Sequence, residues 1–540
     1  MKIGIFMAYG PQTHMGREGL GRYIGGLIKG FSDAGASIVI TIPRWSRQTL
    51  SELLYDFGVP ENAVELAILD RIPAFWGLYS LLERYRSKRK IERRYRVLRK
   101  AVDLLEALIA LLINITSMVV LSIVGLLLCA VAILLLPVAL VGFLLCLLVL
   151  LLKRIVGKRK LSVKALYKRA MKITEEVSKS GQNISAYTYD RMMDSVEKRL
   201  VKKANRQDVD VWFVPTLFWP ETRQLKKTRV VTVPDLVTRE FSTMFSDEPA
   251  HVVPTEKCSR TIVEGEYFIC YCNYIKESLL ERQFGKKGAH VIHHVNNALD
   301  WLIMIDPSME KRLNASKNFT DGFARSLLQT LPKHAKHAEG GLANYSFQDT
   351  RYIFYPSQAR PHKNLLGLIR AYEELLRKRY IDVKLFLTCD LKRHKQAYEY
   401  VMNQGLQLDV ICFCGVSAQQ LAALYRCADL VVNPTLYEGG FPFTFGEGMS
   451  VGTPSIMSDI PQVRDVVESF GLSETMLFDP YDWRSIADKI EFGLRHKKEL
   501  YQKELPLYRE LEKRTVDVVA EEYIHAFEFF IEQDKRRNAG

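Results

Sequence analysis

Cysteine is scarce in this 540-residue chain, with nine residues and no C-x-x-C pair. H-E-x-x-H is absent too, so neither a disulfide framework nor zinc-ligand spacing is present. Cys270/Cys272 and Cys412/Cys414 have the spacing of one face of a strand, which reads as buried, reduced thiols of a cytoplasmic protein. No G-x-S-x-G nucleophile motif occurs, and no strict G-x-G-x-x-G, which leaves a NAD site weakly supported. Asp208 and Asp210 form a D-x-D by spacing, but they open a strand-like run and read as a polar strand edge, so no metal site and no cofactor is implied. The net charge of +14 does not spread over a nucleic-acid surface, and no nucleic-acid motif accompanies it.

Charge is missing altogether between Ala107 and Leu152, a run of 46 residues. As helix it would extend about 69 Å at about 1.5 Å per residue. A hydrocarbon core about 30 Å thick takes about 20 residues per crossing, so two crossings with a turn near Gly125 or Pro137 use nearly all of the run. Its polar residues, Asn114, Thr116, Ser117 and Ser122, cluster towards one end rather than forming a polar face. Between Arg84 and Lys100 lie ten Lys/Arg and one acid, Glu92; between Lys153 and Lys172 lie nine Lys/Arg and no acid. These flanks carry 19 − 1 = +18, and the rest of the chain sums to 14 − 18 = −4. The basic character is therefore juxtamembrane, suited to anionic membrane lipids, and it keeps both ends of the run on the cytoplasmic side. A spanning or re-entrant hairpin is expected. The run starts about a hundred residues in, which excludes a cleaved signal peptide.

Two α/β units are expected around this insertion. Lys2–Ala8 reads as a strand, Gly16–Tyr23 as a Gly-rich loop with Gly19 and Gly21, and Ser37–Ile42 as a second strand. After the interruption, Asp208–Pro215, Arg229–Val233, Tyr267–Tyr271 and Ala289–Ile292 continue the strand pattern. Asp306–Gln348 is polar without sustained periodicity and reads as a linker or mobile loop. A second unit opens at Arg351–Pro356. Leu365, Leu366, Leu368, Ile369, Tyr372, Leu375 and Leu376 then recur at helical spacing. Val383–Leu387 and Val410–Phe413 read as strands, and helices run from Trp483 to about Glu532.

The densest chemistry lies at Tyr437–Pro454, where Glu438 and Glu447 flank a loop of Gly439, Gly440, Phe441 and Pro442. It follows a buried parallel strand, Ala428–Asn433. A Gly-rich loop at a helix start suits a phosphate, and carboxylates beside it suit sugar or ribose hydroxyls. Arg360 and Lys363 occupy another loop between strand and helix, where two cations can hold a diphosphate. The Tyr437–Pro454 run resembles the E-x7-E loop of the family-4 retaining glycosyltransferases, with eight residues here where that family has seven. The resemblance covers roughly Tyr352–Pro480, and more loosely residues 1–75 and 208–300.

That resemblance implies a GT-B fold: two Rossmann-like domains facing a cleft, here with a two-helix transmembrane or re-entrant hairpin inserted in the first. The expected division is 1–72 and 208–305 for the N-terminal domain, 73–207 for the insertion with its hairpin at about 107–152, 306–350 for the linker or mobile loop, 351–515 for the donor-binding domain and 516–540 for a C-terminal helix that crosses back to the first domain. It implies a nucleotide-sugar donor held by Arg360, Lys363, Gly439, Gly440, Phe441 and Glu447, with the loop of Gly19 and Gly21 near its diphosphate. Glu438 would meet the transferred sugar. Where the family has a His-Asp pair, this chain has Pro234 and Asp235, and Asp235 could orient the acceptor hydroxyl or accept its proton. His293-His294 could approach the cleft or simply form a loop. With the hairpin, the expectation is a membrane-anchored retaining hexosyltransferase whose acceptor is lipid-linked, acting in surface polysaccharide or glycolipid synthesis on the cytoplasmic membrane with its catalytic domains in the cytoplasm. A tethered enzyme with a soluble acceptor and a non-catalytic scaffold are the alternatives.

Overall fold

The computed structural model describes residues 1–11, 13, 15, 19–70, 184–245, 252–293, 317–329, 331, 347 and 349–539. The apolar run 107–152 and its basic flanks lie outside them, as does His294. Among the described residues, no helix is long and apolar enough to cross a membrane.

Among the described residues, thirteen strands form two sheets. The first contains β1 (Lys2–Phe6), β2 (Ser37–Pro43), β3 (Val64–Leu69), β4 (Val211–Val214), β5 (Thr228–Val233), β6 (Tyr267–Cys270) and β7 (His290–Val291), in the order β3-β2-β1-β4-β5-β6-β7. The second contains β8 (Tyr352–Tyr355), β9 (Lys384–Leu387), β10 (Val410–Cys412), β11 (Leu430–Asn433), β12 (Ser455–Ser458) and β13 (Leu477–Phe478), in the order β10-β9-β8-β11-β12-β13. β1 pairs in parallel with β2 and β4, and β8 with β9 and β11. Each sheet thus runs outward one way and then reverses beside its first strand, the doubly wound order. Such sheets bind ligands outside the strand C-termini at the reversal. The chain divides into two compact units: Met1–Val231 with Glu248–Glu266 and Phe529–Gly540, and Thr232–Asp247 with Tyr267–Glu528.

In the first unit, Ile38, Val39, Ile40 and Ile42 of β2 and all of β4 are buried, as a parallel sheet covered on both faces requires. The Asp210 carboxylate accepts the Lys2 amide at 2.7 Å, so the polar edge ahead of β4 ties the chain start to the sheet. Helix Val516–Ala539 ends in this unit, where Asp534 accepts the Thr228 hydroxyl at 2.9 Å.

In the second unit the strand period sorts side chains onto two faces. Ile353, Tyr355, Leu385 and Leu387 join one apolar cluster with the helices Leu365–Arg377 and Trp483–Arg495. Tyr352, Phe354 and Phe386 join the other, against the helix Ala418–Cys427. Ser417 and Gln420 start that helix with a reciprocal capping box. The polar segment read as a linker or mobile loop holds a helix at Lys317–Leu328. Ala324 and Leu328 are buried against Ala422 and Tyr425, and Asp321 accepts Arg426 Nε at 2.7 Å. Four apolar residues in two pairs, Phe323-Ala324 and Leu327-Leu328, suffice for one covered face even where the flanks are polar.

Candidate functional site

The second sheet reverses between β8 and β11, and the loops that leave these two strands hold the residues singled out in the sequence. After β8 the chain passes Arg360 and a 3-10 turn at Pro361–Lys363 into the helix Leu365–Arg377. Asn364 joins turn and helix with φ = 52°, a left-handed conformation that Asn tolerates better than most residues, and its side-chain amide donates to the Pro480 carbonyl at 2.8 Å. After β11 the loop is braced from within. Asn433 donates to the Thr444 hydroxyl at 3.1 Å, and the Thr435 hydroxyl donates to the Tyr437 carbonyl at 2.8 Å. The Leu436 amide donates to the His362 carbonyl at 2.8 Å, fastening this loop to the one after β8.

Lys363 and Glu438 meet where the two loops come together. Lys363 Nζ lies 2.6 Å from Glu438 Oε1, with each side chain about one-fifth exposed. Arg360 is exposed on the same loop. His362, between the two cations, is 5% exposed, and burial together with Lys363 and Arg360 pushes its imidazole down to about 2. Among the described residues its Nδ1 has no hydrogen-bond partner. It stays neutral, so the positive charge of this loop belongs to Arg360 and Lys363.

Gly439 and Gly440 have a packing reason to lack side chains. A Cβ on Gly439 would lie 2.0 Å from the Pro234 carbonyl oxygen, and one on Gly440 would lie 2.8 Å from Tyr271 Cβ. The Cys272 thiol donates to the Gly439 carbonyl at 3.4 Å, and the Leu236 amide donates weakly to the Tyr437 hydroxyl at 3.5 Å. The close approach brings Asp235 to the loop, since the Gly439 Cβ position is 3.5 Å from Asp235 Cβ. Asp235 is open to solvent yet ringed by protein. Its proximity to protein raises its carboxyl, the Val237 amide, Arg360 and Lys363 pull it down, and Glu438 raises it again.

Phe441 stacks edge-on against Phe445, with ring centroids 5.5 Å apart, and helps seat the short helix Phe443–Ser450. No side chain caps that helix at Pro442, so its first-turn amides are not claimed by a cap. Glu447 lies on this helix but is only 5% exposed, and the Tyr425 hydroxyl donates to it. Gly448 and the Gly452 turn, at φ = 88°, let the helix lie close on β11 before Thr453 donates to the Tyr425 carbonyl at 2.7 Å.

Glu438, Asp235, Arg360, Lys363, Gly439, Gly440, Phe441 and Glu447 thus all lie in the second unit. Gly19 and Gly21 lie in the first, and both fall inside the helix Gly19–Asp33 rather than in a loop ahead of it. Gly21 is required by packing, because a Cβ there would sit 1.9 Å from the Met15 carbonyl oxygen. The sequence reading missed His362, Thr435, Tyr437, Tyr271 and Cys272. Thr435 and Tyr437 flank the motif itself, and the hydroxyl-bearing spacing T-x-Y beside a carboxylate was a usable signal. Tyr271 and Cys272 come from a strand end more than 160 residues away, which no local pattern links to Gly439. His293 follows β7, and its backbone carbonyl accepts Arg514 Nη2 at 2.7 Å, which makes it part of a braced loop.

The arrangement offers two cations, a carboxylate held by one of them, and the uncapped start of a helix, at the reversal point of a parallel sheet. Residues 343–504 match the model of the family described as glycosyl transferases group 1. This part of the chain is therefore similar to a glycosyl transferases group 1 domain. The O-antigen chain mannosyltransferase B of Escherichia coli is 29% identical over 151 residues, 28% of this chain and 38% of that protein. An uncharacterized glycosyltransferase of Methanocaldococcus jannaschii is 25% identical over 120 residues, 22% of this chain and 30% of that protein. The chain therefore spans about a third of the length of the curated relatives it matches. Among solved structures, Anabaena Alr3699/HepE in complex with UDP and glucose superposes with a TM-score of 0.53 at 11% identity, covering 98% of this chain and 99% of that one. Sucrose-phosphate synthase from Thermosynechococcus elongatus gives 0.54 at 12% identity, covering 98% and 99%. These likenesses establish an α/β GT-B-like fold with parallel sheets.

Proposed function

We propose that this chain is a membrane-anchored retaining glycosyltransferase that moves a sugar from a nucleotide-sugar donor to a lipid-linked acceptor. The observation that carries the reading is the Lys363–Glu438 pair at 2.6 Å, at the reversal point of the group 1 domain's sheet. An ammonium there neutralises a diphosphate and the charge that develops as it leaves. A carboxylate there accepts hydrogen bonds from sugar hydroxyls.

In this reading Lys363 and Arg360 hold the diphosphate with the amides around Gly439–Phe441. Glu438 exchanges part of its contact with Lys363 for hydroxyls of the transferred sugar. Glu447 meets the ribose and keeps Tyr425 as its brace. The acceptor hydroxyl approaches beside Asp235. Its oxygen bonds the anomeric carbon on the face that the diphosphate leaves, the anomeric C–O bond breaks with its electron pair going to the phosphate, and the acceptor's proton passes to a phosphate oxygen. Asp235, as an ionised carboxylate, orients that hydroxyl.

The N-terminal Rossmann-like part, 1–72 and 208–305, would receive the acceptor, and residues 351–515 the donor. The apolar run 107–152 supports a lipid-linked acceptor, since a hairpin with basic flanks would hold the catalytic parts on the cytoplasmic face of the membrane. The E. coli relative is an O-antigen chain mannosyltransferase, which favours surface polysaccharide as the destination. The test is incubation of the full chain, in membranes containing its own lipids, with a panel of labelled sugar nucleotides. Label that moves into the organic phase with one donor supports the reading. Label that stays in water with every donor contradicts the lipid-linked acceptor, and intact donors throughout contradict the enzyme.

A further inference from the structure

Five residues beyond Asp235, Glu240 ends the short helix Val237–Glu240 and is half-buried. Its Oε2 accepts the Tyr274 hydroxyl at 3.0 Å. Its Oε1 is shut off from solvent and has no partner among the described residues. Tyr274 stands at the start of a nine-residue π-helical stretch, Ile275–Gln283, a rare backbone that recurs at functional sites. The neighbour Phe241 packs edge-on against Tyr437, with ring centroids 5.9 Å apart, and the Tyr437 hydroxyl faces the Leu236 amide. The segment 235–241 is therefore fixed against the carboxylate loop at both ends, with Asp235 beside Gly439 and Phe241 on Tyr437.

The two carboxyls of this segment are not equally supported. Desolvation by the surrounding protein raises the Asp235 carboxyl, but it accepts the Val237 amide at 3.3 Å and both Arg360 and Lys363 pull it down, with Glu438 opposing them. Among the described residues, Glu240 has one hydroxyl donor, a sealed second oxygen and no cation acting on it. The groups that face it from other elements are Tyr274, Tyr437 and Cys272, all three held in their neutral forms by burial and by Glu240 itself. A buried oxygen without a donor disfavours charge, and a charged neighbour disfavours it further.

We propose that Glu240, braced by Tyr274, is a positioning residue that keeps the proton of the Asp235–Glu240 pair and so leaves Asp235 ionised to orient the acceptor hydroxyl. This rests on the assignment of Asp235 to the acceptor side. Burial and the Asp235 charge both raise the Glu240 carboxyl, and the Tyr274 hydroxyl lowers it. Ionising Glu240 at higher pH places a second negative charge beside Asp235 and weakens the orientation of the acceptor, giving an alkaline fall in kcat/KM that belongs to Glu240.

The experiment is a carboxyl NMR titration of the full chain labelled with 13C-glutamate, the Glu240 signal being assigned by its loss in Glu240→Gln. Asp235→Asn removes the neighbouring charge and should lower the Glu240 midpoint. Tyr274→Phe removes the donor to the carboxylate and should raise it. A midpoint that moves in neither variant, or moves in the opposite sense, overturns the pair. In the transfer assay, Glu240→Gln should lose the alkaline limb, so that its kcat/KM above that limb exceeds wild type by about tenfold per unit of displacement. Superimposable profiles overturn the positioning role. A wild-type chain that transfers nothing overturns the glycosyltransferase reading and with it the catalytic use of the pair, while the titration still decides whether the two carboxyls are coupled.

Discussion

Lys363 and Glu438 neutralise one another at 2.6 Å, yet their removal should have different kinetic signatures. In the proposed reading, Lys363→Ala deletes a charge-assisted bond to the diphosphate worth about 1.5–3 kcal/mol. Donor affinity by calorimetry should fall about tenfold to a hundredfold. Glu438→Gln keeps shape but loses the anionic acceptor for sugar hydroxyls, so turnover should suffer more than donor affinity. Glu447 is mostly inside the protein, and its replacement by Ala should lower both donor affinity and melting temperature, because the Tyr425 hydroxyl loses its acceptor in the same step. Tyr425→Phe separates the two, lowering stability while leaving the carboxylate in place. With Arg360 and Lys363 carrying the cationic role, transfer should persist in EDTA. Activity that depends strictly on added Mg²⁺ or Mn²⁺ would count against the phosphate site. At this scale the motif residues were legible because they lie within short stretches of chain. Tyr271 and Cys272 were not, since their proximity to the Gly439-Gly440 loop is made by a strand end and not by spacing.

The elements titrate in opposite directions. In the helix Ile184–Ala204, Glu197 is 3% exposed, and burial pushes its carboxyl up to about 8 against the Glu221 amide that pulls it down. A raised carboxyl binds its proton more tightly folded than unfolded, so its contribution is present at low pH and is lost as pH rises from the ordinary glutamate value towards about 8. His362, in the turn Pro361–Lys363, is pushed down to about 2, so the unfolded chain takes up the proton first and stability falls as pH drops below the ordinary histidine value. Thermal stability should therefore fall on both sides of mildly acidic pH. Glu197→Gln should flatten the alkaline side and leave the acid side unchanged. An unchanged alkaline slope would refute the buried, protonated Glu197. Most elements of the second unit could be read directly: the expected strand Val383–Leu387 is observed as Lys384–Leu387, and the helical spacing of Leu365–Leu376 as Leu365–Arg377. Where the apolar signal was short it failed. Lys317–Leu328 carries two apolar pairs in a polar stretch, and the Gly-rich start of Gly19–Asp33 read as loop because Gly disfavours helix until packing, here against Met15, demands it.

At the scale of the whole molecule, each doubly wound sheet follows from buried apolar strands alternating with amphipathic helices, and that alternation was plain in the sequence. The likeness to GT-B structures over 98% of the chain agrees with it. The hairpin is a proposal that rests on the uncharged run and its basic flanks. Replacing residues 107–152 by a short Gly/Ser linker should leave donor binding intact and reduce transfer to a lipid-linked acceptor, because the acceptor's effective concentration at the site falls. Single cysteines placed just outside each flank should be labelled only from the cytoplasmic side, and labelling of one flank from outside the cell would rule out the hairpin. The measurement that bears most directly on the central claim is a paired one on the full chain: donor affinity and transfer of labelled sugar into extractable lipid, wild type against Glu438→Gln. Transfer should drop about a hundredfold or more in the variant while donor affinity changes by no more than a few-fold. Equal transfer by the two proteins, or no transfer by either, would contradict a glycosyltransferase site built on Lys363 and Glu438.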